Sequence, residues 1–66
     1  MTNKVAENIA CQIETMIMGV SVRPDSMTLT PNIVVDIEYR DNYPYRYVIS
    51  DYKGTKSVDA RSLTCE

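Results

Sequence analysis

Ile33-Val34-Val35-Asp36-Ile37-Glu38-Tyr39-Arg40 is the stretch on which the fold turns. Ile33, Val35, Ile37 and Tyr39 fall on one side of an extended chain, and Val34, Asp36, Glu38 and Arg40 fall on the other. A period of two with one apolar face marks a half-buried strand. Asp41 to Pro44 follows as turn chemistry. Tyr45 to Tyr52 then alternates again, with Tyr45, Tyr47 and Ile49 on one face and Arg46, Val48, Ser50 and Tyr52 on the other. Strands over 33–40 and 45–52 therefore form an antiparallel hairpin. The register that sets Tyr39 against Tyr45 also sets Glu38 against Arg46, whereas a slip by one pair would oppose Arg40 to Arg46. The first register is expected.

Upstream of this hairpin the period changes. Val5, Ile9, Ile13, Met16, Ile17 and Val20 recur at helical spacing and form one apolar stripe about 120° wide. A helix over residues 4–18 is expected, started by Asn3 or Thr2 and ended by a left-handed Gly19. Met27 and Leu29 alternate with threonines, between breaks at Arg23-Pro24-Asp25-Ser26 and Pro31-Asn32, and predict a strand over 27–30. Lys53-Gly54 supplies another turn. Beyond it, residues 55–63 fit a strand with Val58 and Ala60 on one face, or a short helix capped by Ser57, and the pattern does not choose between them. The sum is an α+β domain: one N-terminal helix packed on one face of a three- or four-stranded antiparallel meander.

A chain of 66 residues makes one domain, spanning 1–66, and at this size a core is small enough that a disulfide, a metal or a partner often supplements it. A metal is not expected. The chain has no His, and its two Cys stand far apart at Cys11 and Cys65. Residues 1–20 lack the continuous apolar core of a secretory signal, so the sequence favours two free thiols in a reducing, cytoplasmic setting. No apolar run is long enough to span a membrane.

The net charge of −2 is unevenly distributed. Through Glu38 the chain carries Lys4 and Arg23 against Glu7, Glu14, Asp25, Asp36 and Glu38. From Tyr39 onward Arg40, Arg46, Lys53, Lys56 and Arg61 outnumber Asp41, Asp51, Asp59 and Glu66. The basic half also holds all 5 tyrosines, and there is no Trp or Phe. Aromatic rings beside forked cationic donors are the composition of binding hot spots.

Tyr39, Tyr45 and Tyr47 belong to the core side of the hairpin by parity. Tyr43 in the turn and Tyr52 on the outer face have no core to join, so with Arg46, Lys53 and Lys56 they are the expected partner-binding residues. A second candidate interface lies on the helix side away from the apolar stripe, at Glu7, Cys11, Glu14 and Met18, to be covered by the C-terminal segment or by another molecule.

Catalysis is not expected. There is no His to serve as a base near neutral pH, no nucleophile elbow and no glycine-rich phosphate loop, since Gly19 and Gly54 are the only glycines. No cofactor is implied. The composition points to a small acidic protein that modulates or inhibits a larger macromolecule by stoichiometric protein–protein contact, with homodimerisation open to it. Small accessory and phage-type regulators share this size, which is an analogy of size alone. The alternatives are a single-stranded nucleic-acid binder using Tyr43, Tyr52, Arg40, Arg46, Lys53 and Lys56, or a structural subunit of a homo-oligomer. Nucleic acid is the weaker partner because Asp36, Glu38 and Asp51 lie in or beside the same two strands and repel phosphates. Mimicry of a nucleic acid by Glu7, Glu14, Asp36 and Glu38 would need a far denser run of charge.

Overall fold

The structure is a computed structural model and describes residues 1–65. One helix, α1 (Asn3–Met18), packs on one face of an antiparallel sheet made of β1 (Ser26–Thr30), β2 (Ile33–Arg40), β3 (Tyr43–Asp51) and β4 (Gly54–Asp59). The strand order is β1-β2-β3-β4, a simple meander, so the α+β architecture expected from the sequence is the one observed.

α1 begins where Thr2 Oγ1 accepts a hydrogen bond from the Val5 amide at 3.1 Å, so Thr2 rather than Asn3 is the cap. Its end differs from expectation. Gly19 sits at φ −90°, ψ 0° instead of the left-handed region, and its amide and that of Val20 both donate to the Ile17 carbonyl. The Arg23 guanidinium donates to the carbonyls of Ile17 at 3.1 Å, Val20 at 2.7 Å and Val22 at 3.3 Å, which ties the loop after the helix to its last turn.

The buried row of α1 is Ala6, Ile9, Ala10, Ile13 and Ile17, while Val5, Met16 and Val20 are exposed. The stripe is therefore rotated from the one read off the large apolar residues. Alanines at 6 and 10 let the helix backbone approach the sheet, and a hydrophobicity count underrates them. Beneath this row lie Val35 and Ile37 of β2 and Tyr47 and Ile49 of β3, all buried. Met27, Leu29, Ile33, Tyr39, Val58 and Leu63 pack around the margin.

The hairpin register sets Glu38 against Arg46 and Ile37 against Tyr47, as the charge pairing required. Beyond that pair it shifts by one, with Tyr39 facing Pro44 and Arg40 facing Tyr43, so Tyr39 and Tyr45 are not partners. The cause is the turn. Asp41 and Asn42 both adopt positive φ, 54° and 69°, which gives a two-residue hairpin and draws Tyr43 and Pro44 into β3. The surplus residue is absorbed as a bulge near Tyr45.

At the other end of β3, Asp51 Oδ1 accepts from the amides of Lys53 at 2.8 Å and Gly54 at 2.9 Å, making the turn Tyr52-Lys53. Tyr52 thus lies in a turn and not in the strand. Residues 54–59 form the fourth strand, which decides between the two forms open to residues 55–63; a turn over 60–62 then leads away.

That departing segment returns to the helix. Cys65 is joined to Cys11 by a disulfide with the Cα atoms 5.6 Å apart. The expectation of two free thiols is overturned, and the argument for a reducing compartment loses its footing. The physical reason is topological: the chain leaves β4 beside the outer flank of α1, where Cys11 stands, and a sequence separation of 54 is closed by the meander itself.

Tyr47 occupies the centre of the core at 0% exposure, and its hydroxyl donates to Glu14 Oε1 at 3.4 Å. Burial, then the Glu14 carboxylate, push its phenol well above the usual tyrosine range. A raised folded-state value means that Tyr47 contributes its full stability below about pH 10 and loses it as pH rises through the folded value. Alkaline denaturation is expected to begin above about pH 10, and Tyr47→Phe is expected to flatten that limb, as read by far-UV circular dichroism across pH. In a second test, replacing both cysteines by serine is expected to lower stability by about 4 kcal/mol in urea unfolding, the chain-entropy value for a loop of this length.

Candidate protein-interaction surface

The tight turn at Asp41-Asn42 presents the end of the sheet as a small aromatic and charged cluster. Arg40 lies against the ring of Tyr45 with its guanidinium carbon 4.5 Å from the ring centre. Arg61, from the turn after β4, lies against the same ring at 5.0 Å. Its position follows from the β3–β4 pairing, in which the Ala60 amide donates to the Tyr45 carbonyl at 3.1 Å and so carries the next residue over the ring. Contacts of this kind are worth about 0.5–1 kcal/mol each at exposed sites. Their larger consequence is placement, because two flexible arginines are held at one ring.

Charge alternates across this end of the sheet. Arg46 places Nη2 2.7 Å and Nε 3.2 Å from Glu38 Oε2, so both donors of the fork converge on one carboxylate oxygen. That hydrogen bond, with the carboxylate's charge, holds the guanidinium above its usual range. On the other side of Arg46 across the sheet stands Asp59, whose Oδ1 accepts from the Arg61 amide at 2.8 Å and lies 3.6 Å from Arg61 Nε. Tyr43, opposite Arg40 at the mouth of the hairpin, is 65% exposed.

Tyr39 does different work. Its hydroxyl donates to the Pro24 carbonyl at 2.6 Å, tying the loop before β1 to the hairpin. Burial raises its phenol above the ordinary range even though Arg23 opposes the shift.

The expected partner-binding residues do not form one patch. Tyr43 and Arg46 lie at the hairpin end. Tyr52, 80% exposed with the Lys53 amine 5.6 Å from its ring, lies past the far end of β3, about 30 Å away along an extended chain. Lys56 pairs with the buried Ile49, so it belongs to the helix side of the sheet rather than to the outer face with Arg46. Beside Tyr43 and Arg46 the fold brings together Arg40, Tyr45 and Arg61. Arg61 was hidden because its place depends on the β4 register, and residues 55–63 had two readings.

The second expected interface is largely occupied. Cys11 is bonded to Cys65, and Glu14 is half-buried and engaged with Tyr47. Cys65 Sγ lies 3.6 Å from Glu14 Oε2, so the C-terminal segment is what covers this flank. Glu7 and Met18 remain exposed at its two ends.

A cleft of about 350 Å³ opens between the first turns of α1 and β4, lined by Ala6, Glu7, Ser57, Val58, Asp59 and Leu63 among others. Its polar lining is the carboxylates of Glu7 and Asp59, the amide of Asn3 and the hydroxyls of Ser57 and Ser62. Among the described residues no cluster of three or more His, Cys, Asp or Glu is arranged to hold a metal ion, and no helix is long and apolar enough to cross a membrane.

Comparison of this chain with family models, with curated proteins and with solved structures finds no match.

The Glu38–Arg46 pair is exposed on both sides, so Glu38→Ala is expected to cost less than about 1 kcal/mol in urea unfolding while freeing the Arg46 fork. A larger loss would make the pair a structural clamp instead of a surface feature.

Proposed function

We propose that this chain is a protein-binding module that modulates or inhibits a larger macromolecule by stoichiometric contact, and that its contact face is the hairpin end formed by Arg40, Tyr43, Tyr45 and Arg61. The observation that carries this reading is the stacking of Arg40 and Arg61 on the one ring of Tyr45, beside the exposed ring of Tyr43. Rings and pre-oriented guanidinium forks lose little freedom when a partner docks, which is why such residues dominate the energetics of interfaces. Arg61 already lies 3.6 Å from Asp59, so the Arg40 fork, which has no ion-pair partner among the described residues, is the one matched to a carboxylate on the partner.

The sign pattern supports a protein over a nucleic acid. Glu38 and Asp59 interleave with the arginines, and Asp36 lies further along the same outer sheet face, so a phosphate backbone laid across this surface would meet carboxylates at each step. A protein surface with its own mixed charges can register against such a pattern. The Cys11–Cys65 bond favours action in an oxidising compartment over the cytoplasm.

The test is affinity capture from host material with the disulfide-intact chain, with and without nuclease, repeated with Tyr43→Ala and Arg40→Glu. The expected result is one stoichiometric protein retained by the wild type after nuclease and lost from both variants, whose circular dichroism and melting are unchanged. Equal retention by both variants, or loss of all partners with nuclease, would overturn the proposal.

A further inference from the structure

The two edges of the sheet are not equivalent. β4 carries Lys56 on the helix side and Asp59 at its end, and a charge directed inward at an edge strand is a common guard against pairing with another chain. The turn over 60–62 also closes over that edge, with the Ser62 amide donating to the Asp59 carbonyl at 3.2 Å. On β1 the charge and the prolines lie outside the strand, at Pro24, Asp25 and Pro31. Ser26-Met27-Thr28-Leu29-Thr30 contains no charge and no proline. The backbone of α1 runs closer to β3 and β4 than to β1, whose Met27 and Leu29 pack at the margin of the core.

The free backbone groups of β1 can be assigned. The Ile37 amide donates to the Asp25 carbonyl at 2.8 Å, and Met27 pairs with Val35 two residues on. In an antiparallel ladder bonded pairs alternate, so Asp25 and Met27 aim their amides and carbonyls at β2 while Ser26 and Thr28 aim theirs outward at the open edge.

We infer that this edge pairs with a second copy of itself, β1 against β1 in antiparallel register centred on Met27, to give a two-fold dimer with a continuous eight-stranded sheet. In that register Ser26 of one copy meets Thr28 of the other, so each outward amide faces an outward carbonyl. The two half-buried Met27 side chains become direct neighbours on the helix side. A two-fold axis sets residues close to it against their own copies, which penalises any charge nearby; β1 alone among the four strands has none. The contact is isologous and closes at two copies, since both outer edges of the resulting sheet are guarded β4 strands. The hairpin end, with Arg40 and Tyr43, is carried on other strands and is not consumed by this pairing.

The experiment is sedimentation equilibrium of the disulfide-intact full chain over a concentration series, with residue-level amide exchange at the highest concentration. The wild type is expected to show a monomer–dimer equilibrium, with slowed exchange at Ser26 and Thr28 in the dimer. Thr28→Pro removes only an outward amide, which an edge strand tolerates, and is expected to weaken association by at least about tenfold. Thr28→Lys, which keeps the backbone and adds charge near the axis, is expected to do the same if the proline variant unfolds. A wild type that stays monomeric throughout would overturn the inference. So would a dimer of unchanged strength in these variants with Ser26 and Thr28 exchanging freely.

Discussion

Everything in this fold hangs on one contact layer, the row Ile9, Ile13 and Ile17 of the helix pressed onto Val35, Ile37, Tyr47 and Ile49 of the two central strands. Fully burying side chains of this size is worth about 1.5–3 kcal/mol each before the entropy of ordering the chain is subtracted. Tyr47 is the largest of them, and it sits where the layer is deepest. Its hydroxyl finds Glu14 at the helix margin, so the ring can be buried without stranding a polar atom; among the described residues no buried side-chain nitrogen or oxygen lacks a partner.

A single layer of this kind has two consequences. No helix or second sheet packs on the outer face of the sheet, and charged and hydroxyl side chains populate it together with Val34 and Val48. The core is also small, and the chain compensates by binding its C-terminal segment back to the middle of α1 through Cys11 and Cys65. That bond seals the helix flank at Cys11 and Glu14 and leaves the hairpin end as the place where aromatic and cationic groups gather. The proposed contact face depends on a register shift of one residue. Without the bulge near Tyr45, Arg40 would face a partner other than Tyr43.

Much of the architecture was legible because period alone carries it. The alternation over 33–40 found β2, the charge pairing of Glu38 with Arg46 found the hairpin register, and the helical spacing of Ile9, Ile13 and Ile17 found α1. What stayed hidden depended on non-local geometry or on residues that look neutral. Ala6 and Ala10 are buried because they are small, which rotated the true helix face away from Val5 and Met16. Asp41 and Asn42 can both take positive φ, but only the closed hairpin shows that two residues suffice for the turn. The disulfide joins residues whose proximity exists only after the meander has formed. Of the proposed contact face, Tyr43 was readable as a residue without a core to join, as was Tyr52 at the other end of β3, whereas Arg61 reaches Tyr45 only through the β3–β4 pairing.

The central claim is that recognition occurs at the hairpin end, with Tyr43 and Tyr45, and not at the far end of β3, with Tyr52. The most direct measurement is site-specific photo-crosslinking, with a photoreactive phenylalanine placed once at Tyr43 and once at Tyr52 in the disulfide-intact chain, followed by mass spectrometry of the adducts. The account predicts a single protein adduct from position 43 and none from position 52. An adduct from position 52 alone would contradict it.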